Sequence, residues 1–322
     1  MRFGKGQKML LMRALMVILN KDNAEKLREC LKSLVNQSAK LCDDFEVLVL
    51  DGASGDNSSR VAESFSKLYP CVKFKVQERL GGTGYARREV CDLALREGYD
   101  VVLWGDSENV YSRDYVEKIL KALEDCEVAG GVPIVRGGFF AHAFAWYHAI
   151  HIIFNIYHKH IPGNNKAEKT KIYEICRYPE SKRADDYGFS LLLMKKRIKL
   201  RQKIVDARVF VSVPETMREV FKWQKARVKG CAEALRLVKF KPYDLLAWSL
   251  FLPLLVFSLL AVPFSPIFAV IPLTLVTFSV WVFFKSLRFI EKPRKLFFFA
   301  PLIGLAIHSL FSILGLYYYL KD

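Results

Sequence analysis

The chain has 322 residues, with 49 Lys and Arg against 33 Asp and Glu for a net charge of +16, and 52% of it is hydrophobic. That composition excludes a disordered chain and a small disulfide scaffold. The average also hides a division, because no Asp, Glu, Lys or Arg occurs from Leu245 to Phe284, whereas the residues before Asp244 have the mixed character of a charged globular domain.

The N-terminal stretch Met1 to Arg13 is basic, and the apolar run Ala14 to Leu19 that follows is too short for a signal-peptide core, so it reads as a first strand. Asp22 and Glu25 have the spacing of a capping box ahead of Leu27, Cys30, Leu31 and Leu34, which share one helical face. Phe45 to Leu50 reads as strand, Asp56 to Leu68 as helix, and Val72 to Val76 as strand. A glycine loop, Gly81, Gly82 and Gly84, opens a helix running to about Arg96. Val101 to Trp104 is a strand, Val116, Ile119, Leu120 and Leu123 line a helix, and Val128 to Val135 is a strand. This alternation, with strands apolar enough to be covered on both faces, predicts a parallel, doubly wound sheet. Ligands of such sheets sit outside the carboxyl ends of the strands. Asn20, Asp51 and Asp106 each lie where an apolar strand stops, so neighbouring strands would bring three polar side chains to one rim. Each taken alone also fits a helix cap.

Five of the six histidines (His142, His148, His151, His158 and His160) fall in the aromatic stretch Phe139 to Ile161. An amphipathic interfacial helix at headgroup depth is the expectation there, with a metal site as the alternative. Pro162 to Lys171 reads as a polar, mobile loop. Asp185 and Asp186 precede the apolar run Phe189 to Leu193, and a helix cap accounts for one of them but does not require two. Wound as a helix, residues 218–238 put Arg218, Lys222, Lys225, Lys229 and Arg236 on one stripe and Val220, Trp223, Cys231 and Val238 opposite. Arg227 falls on the apolar side. A cation there calls for an anionic ligand, a structural carboxylate, or a path out to solvent.

Three stretches are apolar for roughly the 20 residues a bilayer requires: about Leu245 to Val262, Ile267 to Phe284 and Phe297 to Leu320. The connection between the last two, Lys285 to Lys295, carries five Lys or Arg and one Glu, whereas the first connection has no charge. Positive loops stay in the cytoplasm, so three spans place the soluble part and the basic loop inside and the tail at Asp322 across the membrane. From Lys195 to Lys241 there are 15 Lys or Arg against four acids. A juxtamembrane position fits anionic headgroups, at about 1 kcal/mol per basic residue, better than nucleic acid, for which no binding motif is present. The seven cysteines form an odd count without a CxxC pair, and the soluble part accordingly reads as reduced and intracellular.

Two segments, LDGASGDNS at Leu50 to Ser58 and WGDSEN at Trp104 to Asn109, resemble the nucleotide-binding turn and the DxD metal motif of family 2 glycosyltransferases of the GT-A fold. Between them GTGYARR, Gly82 to Arg88, is similar to that family's glycine loop and Ala-Arg helix start. Ala184, Asp185 and Asp186 resemble its ED acceptor-side motif, and QKARVKG, Gln224 to Gly230, resembles QxxRW. The likeness runs in order from Ala14 to about Lys241. It implies a Rossmann-like, mostly parallel sheet with helices on both faces in residues 1–217, to which the stripe and the apolar stretches above add a basic interfacial helix and linker in 218–244 and a three-helix transmembrane domain in 245–322.

The same resemblance implies a nucleotide-sugar donor held by Asn20, Asp51, Gly82, Arg87, Asp106 and Arg227, and Mn2+ or Mg2+ on Asp106 and Glu108. A divalent cation of this kind takes one or two carboxylates plus substrate phosphates, and on an extended segment those two side chains would point the same way. Catalysis falls to Asp186 as general base, with Asp185, Gln224 and Arg227 beside it. Gly52, Glu108 and Val228 depart from the family pattern, which leaves the base, the metal and a catalytically silent scaffold open. The leading expectation is an inverting transfer of a mannose- or glucose-type hexose from a GDP- or UDP-sugar to a lipid-linked or glycan hydroxyl at the cytoplasmic membrane face. A polyprenyl-phosphate sugar synthase of the dolichyl-phosphate mannose synthase type is the alternative.

Overall fold

The computed structural model describes residues 12–154, 156 and 160–321, so most of the basic N-terminal stretch, His158 and Asp322 lie outside the described residues. Strand β1 (Ala14–Asn20) is fully buried and pairs in parallel with β2 (Phe45–Asp51) on one side and β4 (Val101–Asp106) on the other, and β2 pairs in parallel with β3 (Val72–Val76). Alternate residues serve opposite faces. Met16, Ile18, Val47, Val49 and Leu103 pack under helices α1 (Ala24–Val35), α2 (Ser58–Leu68) and α4 (Tyr115–Ala122). Leu15, Val17, Leu48, Leu50 and Trp104 pack against α3 (Thr83–Glu97).

The sheet is mostly parallel, as expected, up to β4 and becomes mixed beyond it. Its eight strands run in the order β3-β2-β1-β4-β7-β6-β8-β5, completed by β5 (Val110–Tyr111), β6 (Val128–Arg136), β7 (Lys166–Lys169) and β8 (Gln202–Ser212). β7 is antiparallel to both β4 and β6, and β5 is antiparallel to β8, which itself lies parallel to β6. β7 falls inside the segment expected to be a mobile loop. Its sequence, Lys-Ala-Glu-Lys, carries no apolar alternation, because Lys166 and Glu168 enter the core as an ion pair at 2.9 Å with 3% and 1% of their side chains exposed.

Local capping also differs. Asp22 does not form a box with Glu25: α1 starts after Asn23 without a side-chain cap, and the Asp22 carboxylate accepts from the Gly55 amide at 2.7 Å. Asp56 instead accepts from Ala24 and Ser58 amides, both at 2.9 Å, and ties the starts of α1 and α2 together. Cys42 and Cys71, each just before a strand of the adjacent β2 and β3, form a disulfide, while the other five cysteines are free. The cysteine pattern therefore gives no support to a reducing compartment, and the parallel pairing that brings residues 29 apart together is invisible in the spacing.

The histidine-rich stretch is not one exposed amphipathic helix but two short ones, α5 (Phe139–Phe144) and α6 (Trp146–Ile153), with His142 and His151 buried. After α7 (Lys171–Ile175) and α8 (Asp185–Lys195), the basic helix α9 (Met217–Val238) opens on a capping box in which Thr216 and Glu219 bond each other's amides. Arg218, Lys222, Lys225 and Lys229 are exposed along it, while Arg236 leaves the stripe and donates to the Tyr318 carbonyl. Three segments are long and apolar enough to cross a membrane: Tyr243–Ala261, which comprises α10 (Tyr243–Ser249) and α11 (Phe251–Ala261); Pro266–Phe289, containing α12 (Val270–Ser286); and α13 (Ala300–Lys321).

Candidate active site

The parallel register of β2, β1 and β4 aligns Asn20 with Asp51 and Leu19 with Asp106, so the three strand-end polar residues do meet on one rim. Asn20 donates to Asp51 at 2.7 Å, and the Asp51 carboxylate also accepts the Ser54 amide and hydroxyl at 2.7 Å. Asp51 is thus the centre of the turn Asp51 to Ser54, which it holds with both oxygens. β4 ends at Asp106, and Ser107 and Glu108 turn instead of continuing the strand, with the Asn109 amide donating to the Asp106 carbonyl. The expected extended Asp106 to Glu108 segment is absent, and Glu108 leans toward Lys26 at 3.5 Å. Their charges still interact. Burial pushes the Asp106 carboxyl up to about 7; Arg87 opposes this, and the charges of Glu108, Asp185 and Asp186 add to it.

Gly82 starts α3 at φ 131, and a Cβ there would collide with the Lys182 backbone. This glycine therefore seats the α3 start against the loop that leads to Asp185, and any side chain would be both strained and blocked. Arg87, one turn in, is buried; it pairs with Asp185, donates to the Gly163 carbonyl at 2.8 Å, and lies 4.6 Å over the Trp104 ring. Asp185 is held further by the Thr83 hydroxyl. Arg87 and Asp185 consequently neutralise one another, and the acidic pair divides into a buried structural partner and a second carboxylate, Asp186.

Asp186 accepts from the Gly163 amide at 2.8 Å. Burial works upward on its carboxyl, but His160, Lys166, Arg87 and the Gly163 bond hold it below the ordinary range, so it is ionised at neutral pH. The Ser190 hydroxyl donates to the Asp186 carbonyl and meets His160 Nδ1 at 2.9 Å. Arg227 sits on α9 with its guanidinium 5.3 Å above the Tyr147 ring and joins no ion pair among the described residues. Tyr147 and His160 both feel the charges of Asp186 and Arg227, which places the two in one neighbourhood. Gln224, one turn earlier, is fully buried with neither side-chain polar atom hydrogen-bonded.

The residues that sequence reasoning missed lie in and before β7. Glu168 accepts from Trp104 Nε1 at 3.0 Å and from the Tyr173 and Tyr178 hydroxyls at 2.9 Å, besides pairing with Lys166. Burial raises its carboxyl, yet Lys166 and the two phenols more than offset this and hold it low. Glu168 thereby fixes Trp104, on which Arg87 rests. Replacement by Ala leaves the Lys166 ammonium buried without a partner and is expected to destabilise the fold by about 3–5 kcal/mol, read as a fall in denaturation midpoint with unchanged bilayer retention.

Comparison with known proteins decides the family. The model of glycosyl transferase family 2 matches residues 14–178, which is half of the chain. The chain belongs to family 2 of the glycosyltransferases. An uncharacterised glycosyltransferase of Bacillus subtilis (strain 168), YfnE, is 31% identical over 139 residues, covering 42% of this chain and 32% of that relative's length. The mannosyltransferase PcManGT of Pyrobaculum calidifontis, solved with GDP-Man and Mn2+, superposes with a TM-score of 0.58 at 16% identity over 97% of this chain and 88% of its own. GalNAc-T7, solved with UDP, GalNAc and Mn2+, does so with a TM-score of 0.53 at 13% identity over 70% and 48%. These likenesses establish the GT-A fold, followed here by apolar helices. Among the described residues of this glycosyltransferase no cluster of three or more metal-ligating side chains is gathered. Asp106 and Glu108 nonetheless offer oxygen ligands of the kind a hard divalent cation takes, since two carboxylates suffice when substrate phosphates complete the shell.

Proposed function

We propose that this glycosyltransferase is a membrane-anchored, inverting hexosyltransferase that moves a mannose- or glucose-type sugar from a GDP- or UDP-sugar to a lipid-linked or glycan hydroxyl at the cytoplasmic membrane face. The reading is supported by the charges of Glu108 and Asp186 acting on Asp106 beyond the strand ends, and by Arg227 of the basic helix lying in the neighbourhood of Asp186. The Asp51 turn and Asn20 receive the nucleotide end of the donor, and Gly82 with Arg87 shapes the wall between donor and acceptor. Asp106 and Glu108 would hold Mg2+ or Mn2+, which supplies charge neutralisation for a diphosphate. Arg227, cationic and without a carboxylate, suits the departing diphosphate. Asp186 takes the proton of the acceptor hydroxyl as that oxygen bonds to the anomeric carbon and the bond to the diphosphate breaks with its electron pair. Attack opposite the leaving group inverts the anomeric centre.

An acceptor at the membrane is supported by the short path from Asp186 to the apolar helices: burial, and then the charge of Asp244 at the start of the first one, raise the phenol of the neighbouring Tyr187. A screen of nucleotide sugars in detergent with Mn2+ or Mg2+ tests the proposal. Metal-dependent release of nucleoside diphosphate from one hexose donor is the expected result, and equality with the protein-free background for every donor would leave a silent scaffold. Acid stability of the product then separates a glycoside from the sugar phosphodiester of a polyprenyl-phosphate synthase.

A further inference from the structure

We propose that only two of the three apolar segments enter the bilayer, Tyr243–Ala261 and Pro266–Phe289, and that α13 lies along the membrane surface with both ends on the side of the catalytic domain. The inference rests on the membrane-anchored reading given above but changes its topology, from three crossings to an even number.

The contacts of α13 carry it. At about 1.5 Å per residue its 22 residues extend roughly 33 Å, enough to cross the bilayer's hydrocarbon core. A crossing helix would leave the domain behind at one end. This one keeps it at both. Near its start, Gly304 lies so close to the Ala143 carbonyl of α5 that a Cβ would collide, and the preceding basic loop is pinned to the domain, with the Arg294 amide donating to His142 at 2.8 Å and Glu291 bonded to Arg136 at 3.1 Å. Near its end, Arg236 of α9 donates to the Tyr318 carbonyl and the Tyr319 hydroxyl donates to the Phe240 carbonyl at 3.2 Å.

Between these points α13 follows α9 in the same direction. Phe221 meets Phe311 at 5.3 Å between ring centroids, and a Cβ at Gly315 would stand 3.2 Å from the Val228 Cβ. On its other flank α13 meets α10, with Ser309 donating to the Ser249 carbonyl at 3.1 Å and accepting from the Leu252 amide at 2.9 Å, so α10 shares its layer and the part of the first segment that enters the bilayer begins with α11. α9 cannot be drawn into hydrocarbon, because each of its exposed Lys and Arg residues would cost about 2.5–3.5 kcal/mol there. A helix laid along α9 is held at the same depth.

Exposure divides the three segments in the same way. Within the protein 56% of the most apolar window of α13 is buried, against 22% for Tyr243–Ala261 and 17% for Pro266–Phe289. The last two therefore have the lipid-facing surface. Their uncharged connection is the most exposed apolar point of the pair, with Phe264 88% and Ile267 72% exposed. α13 is instead the layer between catalytic domain and hairpin, and its Leu310, Ile313 and Tyr317 form a narrow exposed strip suited to the headgroup boundary.

The test uses the full chain with a protease-cleavable tag at each terminus, in sealed membrane vesicles of right-side-out and inverted orientation. Both tags are expected to be cut in the same vesicle population, with the protein retained after alkaline extraction. Cleavage of the two tags in opposite populations restores three crossings and overturns the inference while leaving the membrane anchor intact. Release of the protein by alkaline extraction would overturn the anchored reading itself, and the inference with it.

Discussion

Asp186→Asn is expected to lower kcat by about 10²–10⁴-fold, the usual contribution of a positioned general base, while the KM for the donor stays near that of the wild type. Asparagine keeps an oxygen that can accept the Gly163 amide now bonded to Asp186 at 2.8 Å, so the substitution removes the proton acceptor and little of the local fold. Steady-state kinetics with donor and acceptor varied in turn check the outcome. The sign of the pKa matters here: His160, Lys166 and Arg87 hold the Asp186 carboxyl low, so it is ionised and able to accept a proton throughout the neutral range. Wild-type turnover in this variant would locate the base elsewhere, or mean that the acceptor is already an anion. A lipid phosphate needs no base, and the result would therefore move the reading to the polyprenyl-phosphate synthase.

The expected fall is specific to the second residue of the acidic pair. Asp185 is in ion-pair contact with the buried Arg87 and takes the Thr83 hydroxyl as well, so its loss would act through stability and the placement of α3. The resemblance placed Asp185 beside the general base Asp186, and adjacency on the chain does not tell which of two carboxylates turns inward at the start of a helix.

Much of the rim was legible for a simple reason. Strand ends are marked by a change from apolar to polar residues, and parallel neighbours bring those ends together, so Asn20, Asp51 and Asp106 were found from the runs that precede them. What failed was whatever depends on partners far away in sequence. β7 carries two charges that only their mutual pairing, and three ring donors to Glu168, make tolerable in a core. A reading based on apolar periodicity sees a polar loop there. The disulfide between Cys42 and Cys71 depends on the order of β2 and β3, and the buried His142 of α5 meets Phe283 of α12 and the Arg294 amide, far later in the chain. The apolar length of α13 was equally plain, yet length cannot distinguish a helix that crosses lipid from one that packs along another helix.

Asp106→Asn is expected to reduce turnover on the order of 10³-fold and to abolish its dependence on Mn2+ or Mg2+. A divalent cation that neutralises developing phosphate charge supplies several kcal/mol, and each 1.36 kcal/mol is tenfold in rate. The same carboxyl gives a pH signature. Its folded pKa, about 7, lies above the ordinary value of 3.8, so between those limits the folded chain holds a proton that the unfolded chain releases. Stability from this group is therefore full at low pH and lost as pH rises toward 7, when a half-buried carboxylate is left charged beside Glu108, Asp185 and Asp186. A cation replaces that proton. Added Mn2+ should thus raise the thermal midpoint more at pH 8 than at pH 5.5 in the wild type, and the difference between the two pH values should vanish in the variant. A midpoint that Mn2+ leaves unchanged at both pH values, together with turnover that survives a chelator, would remove the metal from this site and leave Arg227 as the neutralising charge for the diphosphate.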